Sequence, residues 1–509
     1  MSALMSKEIE LKLALPKDAL GALRRHPLLQ GAEKLGNAAT LINTYYDTPA
    51  LALREQRIAL RTRKHGRRWL QTVKCAASST GGLSARPEWE QDFLGAFDFS
   101  AVDDKATAQA LEAVADTLVP VFTTRFRRET YRLVPAEGVE VLLMLDHGSI
   151  DADERSEPIC EAELELVSGR ADDLFGLACA LAEDLPLLPA DRSKAERGYR
   201  LFGGEPEAPV RAAKSAIVPG QSPLAAFRSL AWECVGQWQA NAQAALTEDD
   251  PEYVHQLRVA LRRLRSLIKL FRPSLPMDFV ARWSDTLRDC ASEMGDARDF
   301  DVLIDEILAP IQPDPLMPAE LLDPLRAHAR ATREAARQSA RERLRHASQG
   351  QRILALARDL NRLDSNALDA SADLAAFARL QLDTLRKRAR KRFASAQSPD
   401  PAHLHALRVS LKQMRYGAEF FRPLFGAADM KQHLALLRRG QEDLGYLNDV
   451  EIARGHLLAW AQAHPALAPA AHFVLGWHAP RCGRIRRRVL LEIEPLLWGK
   501  SAWKHARHA

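Results

Sequence analysis

Glu8-Ile9-Glu10-Leu11-Lys12, within the run from Lys7 to Leu15, decides how the first part of this chain is read. Successive strand side chains point to opposite faces, so Glu8, Glu10 and Lys12 share one face while Ile9, Leu11 and Leu13 share the other. Taken alone, such a strand could be the solvated edge of an antiparallel sheet. Later segments repeat the device. Arg61 and Arg63 alternate with Leu60 and Thr62, and Leu70, Thr72 and Lys74 fall together. Arg86, Glu88 and Glu90 share a phase, as do Arg125 and Arg127, and as do Glu161, Glu163 and Glu165 with Leu164 and Leu166 behind them.

A sheet whose every strand carries charge along one side can roll into a barrel, with charged faces lining a wet interior and apolar faces packed outward under helices. Acidic pairs lie mainly on the first and last strands and basic pairs between them. That segregation suits a hard divalent ion, Mg²⁺ or Mn²⁺, beside a polyanion. Carboxylates ligate such ions, and Arg and Lys neutralise phosphate oxygens. His65 and His147 lie near these motifs without a recognisable partner and read as bystanders.

The ordered series Glu8-Ile9-Glu10-Leu11-Lys12, Tyr46-Asp47, Leu60-Arg61-Thr62-Arg63, Thr72-Val73-Lys74, Arg86 with Glu88 and Glu90, Leu145-Asp146-His147-Gly148, Glu163-Leu164-Glu165 and Ser193-Lys194 resembles the CYTH family of triphosphate tunnel metalloenzymes. The resemblance implies an eight-stranded tunnel that takes triphosphate-containing substrates with Mg²⁺ or Mn²⁺. Family members include inorganic triphosphatases, thiamine triphosphatases and class IV adenylate cyclases. Carried over by position, Glu8, Glu10, Glu163 and Glu165 would hold the metal. Lys12, Arg61, Arg63, Lys74, Arg86, Arg125, Lys194 and one of Arg127 and Arg128 would hold phosphates, with Glu88, Glu90 and Asp146 as further candidates. Arg127 and Arg128 point oppositely on a regular strand, so only one of them can face the interior.

The length of 509 residues, 47% of them hydrophobic, allows two to four domains. Six cysteines without CxxC or zinc spacing argue against a disulfide framework or a thiolate-bound metal and fit a reducing cytoplasm. Neither a secretory leader nor a membrane-spanning apolar run is read from the sequence. Residues 1–203 are therefore expected to form an α+β domain, an antiparallel eight-stranded β-barrel with accessory helices over Lys17–His26, Asp103–Asp116 and Ala171–Glu183. Residues 204–222, rich in Gly, Pro and Ala, read as a linker.

From 223 to 509 the strand period gives way to helical periods, and an internal repeat emerges. Val254-His255-Gln256-Leu257-Arg258-Val259 returns as Leu404-His405-Ala406-Leu407-Arg408-Val409, an offset of 405 − 255 = 150. The same offset aligns Phe271-Arg272-Pro273 with Phe421-Arg422-Pro423, Gly295 with Gly445 and Asp299 with Asp449. Two copies of one helical unit follow. His255, Arg258, Arg262, Arg265 and Lys269 step by three and four along one helix face, and His405, Arg408, Lys412 and Arg415 repeat the row, with Glu419 in place of the lysine. With few acids at i±4 the row repels itself unless an anion compensates. Further basic runs, Arg326 to Arg341 and Arg386 to Arg392, extend the same character.

The His-x-x-Arg-Val motif, Phe-Arg-Pro and the later Gly-x-x-Arg/Asn-Asp are similar to the CHAD family of conserved-histidine α-helical domains. The resemblance implies two pseudo-symmetric four-helix bundles and a basic surface that binds inorganic polyphosphate, hence association with polyphosphate granules. His255 and His405, each set among arginines, suit phosphate donation better than metal ligation. No nucleic-acid recognition motif or aromatic stacking row accompanies the basic face, which argues against nucleic acid. The combined expectation is a metal-dependent hydrolase converting inorganic triphosphate to pyrophosphate and phosphate, with a polyphosphate-binding second domain. The alternatives are a non-catalytic polyphosphate scaffold, a thiamine triphosphatase or an adenylate cyclase.

Overall fold

Alternation in the sequence becomes a closed sheet in the computed structural model, which describes residues 7–66, 68–75, 79–312, 319–363, 373–398 and 400–504. The strands are β1 (Lys7–Ala14), β2 (Glu33–Lys34), β3 (Ala39–Asp47), β4 (Ile58–His65), β5 (Arg68–Cys75), β6 (Leu83–Asp92), β7 (Val119–Ala136), β8 (Val139–Ala152), β9 (Arg155–Ser168) and β10 (Leu188–Pro189). Pairing runs β1-β6-β5-β4-β3-β7-β8-β9, and β1 pairs β9 as well, so eight antiparallel strands close on themselves. Closure removes the edges that an open sheet would expose. The two-residue strands β2 and β10 are appended to β7 and β1.

Register then decides which side chains meet. Glu8 stands opposite Arg86, Glu10 opposite Ser84 on one side and Glu165 on the other, and Lys12 opposite Glu163. Lys74 stands opposite Glu88, and Arg128 opposite Asp146. The apolar backs pack outward: Leu11 and Leu13 are fully buried, and Leu53, Ile58, Leu60, Val73, Phe99 and Leu111 form a cluster with the short helices Ala52–Glu55 and Lys105–Glu112. Inside the barrel, Tyr45, Phe122, Phe126, Ile150 and Ile159 fill one end, where Tyr199 of the helix Lys194–Gly203 joins them. That helix lies against Phe122 so closely that a β-carbon at Gly198 would come within 2.1 Å of the ring.

The regular structure described in the second unit is all helical, and the offset of 150 reappears in its elements. Helices Glu252–Phe271 and Pro401–Phe420 are each 20 residues long, and each leads into a one-turn segment, Arg272–Ser274 and Arg422–Leu424. The following helices begin at Met277 and Ala427, and 427 − 277 = 150. The first of these breaks at Met294, before Gly295, whereas the second runs on through Gly445 to Ala463. Phe271 and Phe421, related by the repeat, pack at 5.4 Å between ring centroids.

Two features depart from the sequence reading. The stretch 204–222 has no regular structure, yet it is pinned: Asn241 Oδ1 accepts from the Val210 N–H at 3.1 Å, and Ser215 Oγ donates to the Phe420 carbonyl at 2.8 Å. More consequentially, the helical domain read as 223–509 is interrupted. Residues 345–362 group with residues 1–209 in the first unit, and residues 210–344 and 363–509 form the second. The cause is burial: the apolar stripe Ile353, Leu354, Ala357 and Leu360 of helix Ala347–Arg362 packs against helix Ala171–Asp184 and β10.

Candidate functional site

Closing the barrel converts a row of alternating charges into the lining of a cavity of about 1040 Å³. Glu8, Glu10, Lys12, Arg61, Arg63, Lys74, Arg86, Glu88, Glu90, Arg128, Glu163, Glu165 and Lys194 all line it. Arg125 and Arg127 do not. Both are exposed on the outer face of β7, because the interior phase of that strand runs through Thr124, Phe126 and Arg128. The two-residue alternation was right and its phase was one residue out, so the phosphate role expected of Arg125 and Arg127 is withdrawn and Arg128 faces inward.

Three electrical neighbourhoods divide the lumen. In the first, four carboxylates, Glu8, Glu10, Glu88 and Glu165, face two cations, Lys74 and Arg86. Lys74 Nζ lies 2.9 Å from Glu8 and 2.7 Å from Glu88, while Arg86 pairs with Glu10 and reaches Glu8 at 4.0 Å. Two positive charges do not satisfy four negative ones. Burial followed by the nearby Glu8 pushes the Glu165 carboxyl up to about 7, and burial raises Glu8 against the pull of Lys74. A divalent cation is what this donor set lacks, so the residues present fit the metal that the sequence implied.

The second neighbourhood is already neutralised. Asp146, Glu161 and Glu163 are buried and close enough for one ion to touch all three, but Lys194 fills that role. Its Nζ lies 2.7 Å from Asp146 and 3.0 Å from Glu163 and also pairs with Glu161. Arg128 forks onto Asp146 at 2.7 and 2.6 Å and onto Glu163 at 2.5 Å. Burial would raise the Glu163 carboxyl, yet Lys194, Arg128 and Lys12 hold it well below the usual range. Glu163, expected among the metal ligands, therefore sits in a cation-filled cluster.

In the third neighbourhood the cations are only loosely paired. Arg61 and Arg63 approach carboxylates only at 3.7 Å, and Arg63 Nε donates to Asn43 Oδ1 at 2.9 Å. Burial and then Arg61 bring the Arg63 guanidinium down to about 10. Buried Nε–H donors of Arg61 and Arg86 have no acceptor. Unpaired buried donors are costly, and an anion entering the lumen would satisfy them. Asn43, Tyr45 and Ser84 were missed by the sequence reading. They carry no charge, and their only signal was the interior phase of β3 and β6. His147 is half-buried outside the cavity lining, and the side chain of His65 lies outside the described residues.

The second unit gathers its own cations. His255, Arg258 and Arg262 from one repeat and His405, Arg408 and Lys412 from the other line one cavity of about 1420 Å³. Among the described residues no carboxylate forms an ion pair with Arg262, Arg408 or Lys412, and the buried Nε atoms of Arg258, Arg262 and Arg408 lack acceptors. Asp299 and Asp449 stand nearby and supply partial compensation. Burial, then Arg262 and Arg408, lower the Lys412 ammonium to about 6, and burial with Arg298 lowers the His255 imidazole to about 4. His405 Nδ1 lies 2.7 Å from Asn448 Oδ1, so that ring is oriented by the repeat's Asn-Asp pair.

Not every residue of the expected rows reaches this cavity. Arg265 and Lys269 are exposed beyond it, since a helix rises about 1.5 Å per residue and they lie two to three turns further along than Arg258. Arg415 is held by Glu419 at 3.8 Å. The other basic runs are largely spoken for: Arg337 pairs with Asp301 at 2.7 Å, and Arg386 and Arg390 donate to the Leu497 carbonyl at 2.7 Å. Arg298, the arginine of the Gly-x-x-Arg/Asn-Asp motif, also lines the cavity, together with Arg454 and Arg486, which the repeat motif did not include.

Comparison with known proteins agrees with this division. The CYTH domain family matches residues 6–199 and the CHAD domain family matches residues 229–458. The inorganic triphosphatase of Haemophilus influenzae is 32% identical over 201 residues, which are 40% of this chain and 56% of that protein, so the chain spans little more than half of this relative. The crystal structure of the CHAD domain from the plant Ricinus communis is 30% identical, with a TM-score of 0.51, and covers 59% of this chain and 100% of that one. A Hippeastrum protein described as having a dominant triphosphatase activity is 21% identical, with a TM-score of 0.28, over 40% of this chain and 98% of that one. The chain belongs to the CYTH family in its first part and to the CHAD family in its second.

Proposed function

We propose that the barrel is a metal-dependent inorganic triphosphatase, hydrolysing triphosphate to pyrophosphate and phosphate, and that the helical cavity binds inorganic polyphosphate. The observation that carries the first part is the segregation inside one closed lumen: the carboxylates of Glu8, Glu10 and Glu165, two of them raised by burial, share it with the guanidinium groups of Arg61 and Arg63, which approach carboxylates only at 3.7 Å. The printed name of the Haemophilus influenzae relative, an inorganic triphosphatase, supports the same reading.

Glu8, Glu10 and Glu165 would hold Mg²⁺ or Mn²⁺, which when bound supplies an activated water and neutralises phosphate charge. The chain's own residues do the rest. Arg61, Arg63 and Lys74 bind the phosphate oxygens in a site where charges are only partly screened, and Arg61 offers its unpaired Nε–H. Lys12 and Lys194 line the same lumen and would hold further phosphate oxygens. Water adds to the terminal phosphorus and gives up a proton to solvent, the bridging P–O bond breaks, and the displaced oxygen departs as pyrophosphate. The aromatic plug of Tyr45, Phe122 and Phe126 fills one end of the lumen, with the Tyr45 hydroxyl accepting from Arg61 at 3.5 Å.

The second part rests on Arg258, Arg262, Arg408 and Lys412, whose mutual repulsion in a shared cavity a linear polyanion would relieve. Six free cysteines suit a reducing cytoplasm, and among the described residues no helix is long and apolar enough to cross a membrane. The test is phosphate release from inorganic triphosphate, ATP, thiamine triphosphate and long polyphosphate with Mg²⁺ or Mn²⁺, with cyclic AMP measured in the ATP arm. Release fastest from inorganic triphosphate and abolished by EDTA is expected. No release from any of the four would leave a polyphosphate-binding scaffold.

A further inference from the structure

Helix Ala347–Arg362 lies, in sequence, between the two halves of the helical unit, yet it belongs to the barrel unit. Its docking is specific rather than merely apolar. A β-carbon placed on Gly350 would come within 1.5 Å of the Leu187 carbonyl oxygen, so only glycine lets the helix backbone lie directly on that peptide. Two to three turns on, Arg358 and Arg362 both fork onto Asp172 of helix Ala171–Asp184. The four distances are 3.1 and 3.0 Å from Arg358 and 2.6 and 2.9 Å from Arg362. Arg358 also crosses Gly176, where a β-carbon would meet its guanidinium at 3.1 Å.

What this helix holds is the segment that enters the tunnel. Leu188 and Pro189, immediately after Leu187, pair with Ala14 and Leu13 of β1. The Ala190 N–H then donates to the Lys12 carbonyl at 2.9 Å. Asp191 Oδ1 accepts from Ser79 Oγ at 2.9 Å and from the Gly82 N–H at 2.8 Å, and the Arg192 carbonyl receives Lys12 Nζ at 3.5 Å. Ser193 caps the helix whose first residue is Lys194, the cation of the Asp146, Glu161 and Glu163 cluster. Lys12 and Lys194 thus take their places from a stretch of six residues whose near end is clamped by Gly350.

We propose that helix Ala347–Arg362 is a positioning strap for the tunnel, fastened by Gly350 on Leu187 and by Arg358 and Arg362 on Asp172, and that it sets the placement of Lys12 and Lys194. The catalytic unit is then completed by chain delivered from within the second family domain. Gly350, Arg358 and Arg362 touch no substrate; they act through the Leu187–Lys194 segment. The kinetic consequence rests on the triphosphatase reading, whereas the conformational one does not.

The test uses the full chain with Gly350→Ala, and separately the double variant Arg358→Glu with Arg362→Glu. Amide hydrogen exchange is the primary readout. Exchange at residues 187–194 and in helix Ala347–Arg362 is expected to accelerate tenfold or more in either variant while β4 to β6 keep the wild-type rate. Pairing the double variant with Asp172→Arg should restore protection by recreating the clamp with its charges exchanged. In the hydrolysis assay the KM for inorganic triphosphate should rise about tenfold with kcat within threefold, since loss of folded enzyme would instead lower kcat at constant KM. Unchanged exchange at 187–194, or a rise no greater than that across the rest of the barrel, overturns the proposal. If the wild-type protein hydrolyses nothing, the triphosphatase reading fails and the exchange comparison still decides the strap.

Discussion

The barrel and the helical unit each present basic side chains to a cavity, and they handle that charge in opposite ways. In the barrel Lys12, Lys74, Arg86 and Arg128 each have a carboxylate across the register, Glu163, Glu88, Glu8 and Asp146, while Arg61 and Arg63 stand opposite uncharged residues. In the helical cavity Arg262, Arg408 and Lys412 face one another. The difference comes from geometry. Neighbouring strands lie about 4.8 Å apart and bring residues of unlike sign side by side, whereas a helix stripe stacks residues from one short segment, all of one sign here. A lumen with both signs can accept a cation and an anion together. The helical cavity has acids on its wall too, but Arg262, Arg408 and Lys412 cluster with no ion-pair partner among the described residues, which suits that side to an anion.

The sharpest way to break this contrast is to remove a carboxylate from the first region. Glu10→Ala is expected to lower phosphate release by about a thousandfold or more, the scale of losing a positioned charge at a metal-assisted site, while retention on a polyphosphate resin stays within twofold. A variant that loses both would mean that the two cavities are not independent. Next in size is the converse, Arg258→Glu combined with Arg408→Glu. Polyphosphate affinity should drop by about a hundredfold or more, as expected when two desolvated phosphate contacts become repulsive, with triphosphate hydrolysis unchanged within twofold.

Salt and pH sharpen the comparison further. Counterion release predicts that polyphosphate affinity falls by about tenfold or more between 50 and 200 mM salt if four cations engage the chain. The KM for triphosphate should move less, because charges enclosed in the lumen are screened less by salt than exposed ones. Lys412 sets the pH dependence. Its ammonium is depressed to about 6 in the free cavity, and a bound polyanion favours the protonated form, so binding takes up a proton above pH 6. Polyphosphate affinity should therefore weaken as pH rises from 6 to 8 and level off below 6, and Lys412→Met should flatten that slope. An affinity independent of pH in the unaltered protein would remove Lys412 from the site. The smallest effect belongs to Arg125→Ala and Arg127→Ala, exposed on the outer face of β7, which should leave hydrolysis within twofold. A large loss there would reverse the phase assigned to that strand.

How far the residues could be read in advance follows from the same physics. Glu8, Glu10 and Lys12 were legible because β1 is regular and its two faces differ so plainly in polarity. On β7 the charged run Arg125 to Glu129 holds basic residues in both phases, so periodicity could not choose between them, and the interior face turned out to be the one with Phe126 and Arg128. In the helical unit the repeat located the two rows but not their limits. Arg265 and Lys269 have the right phase and the wrong height along the axis.

The amino-acid sequence by itself determined the strand and helix periods, the repeat at 150 residues and the chemical character of both cavities, because side-chain phase follows from local backbone geometry. Only the tertiary structure decided which carboxylates are neutralised by Lys194 and Arg128 and which are left short of positive charge. It also decided that residues 345–362 belong to the barrel. Those outcomes depend on strand register and on burial between segments more than a hundred residues apart, and no local pattern encodes either.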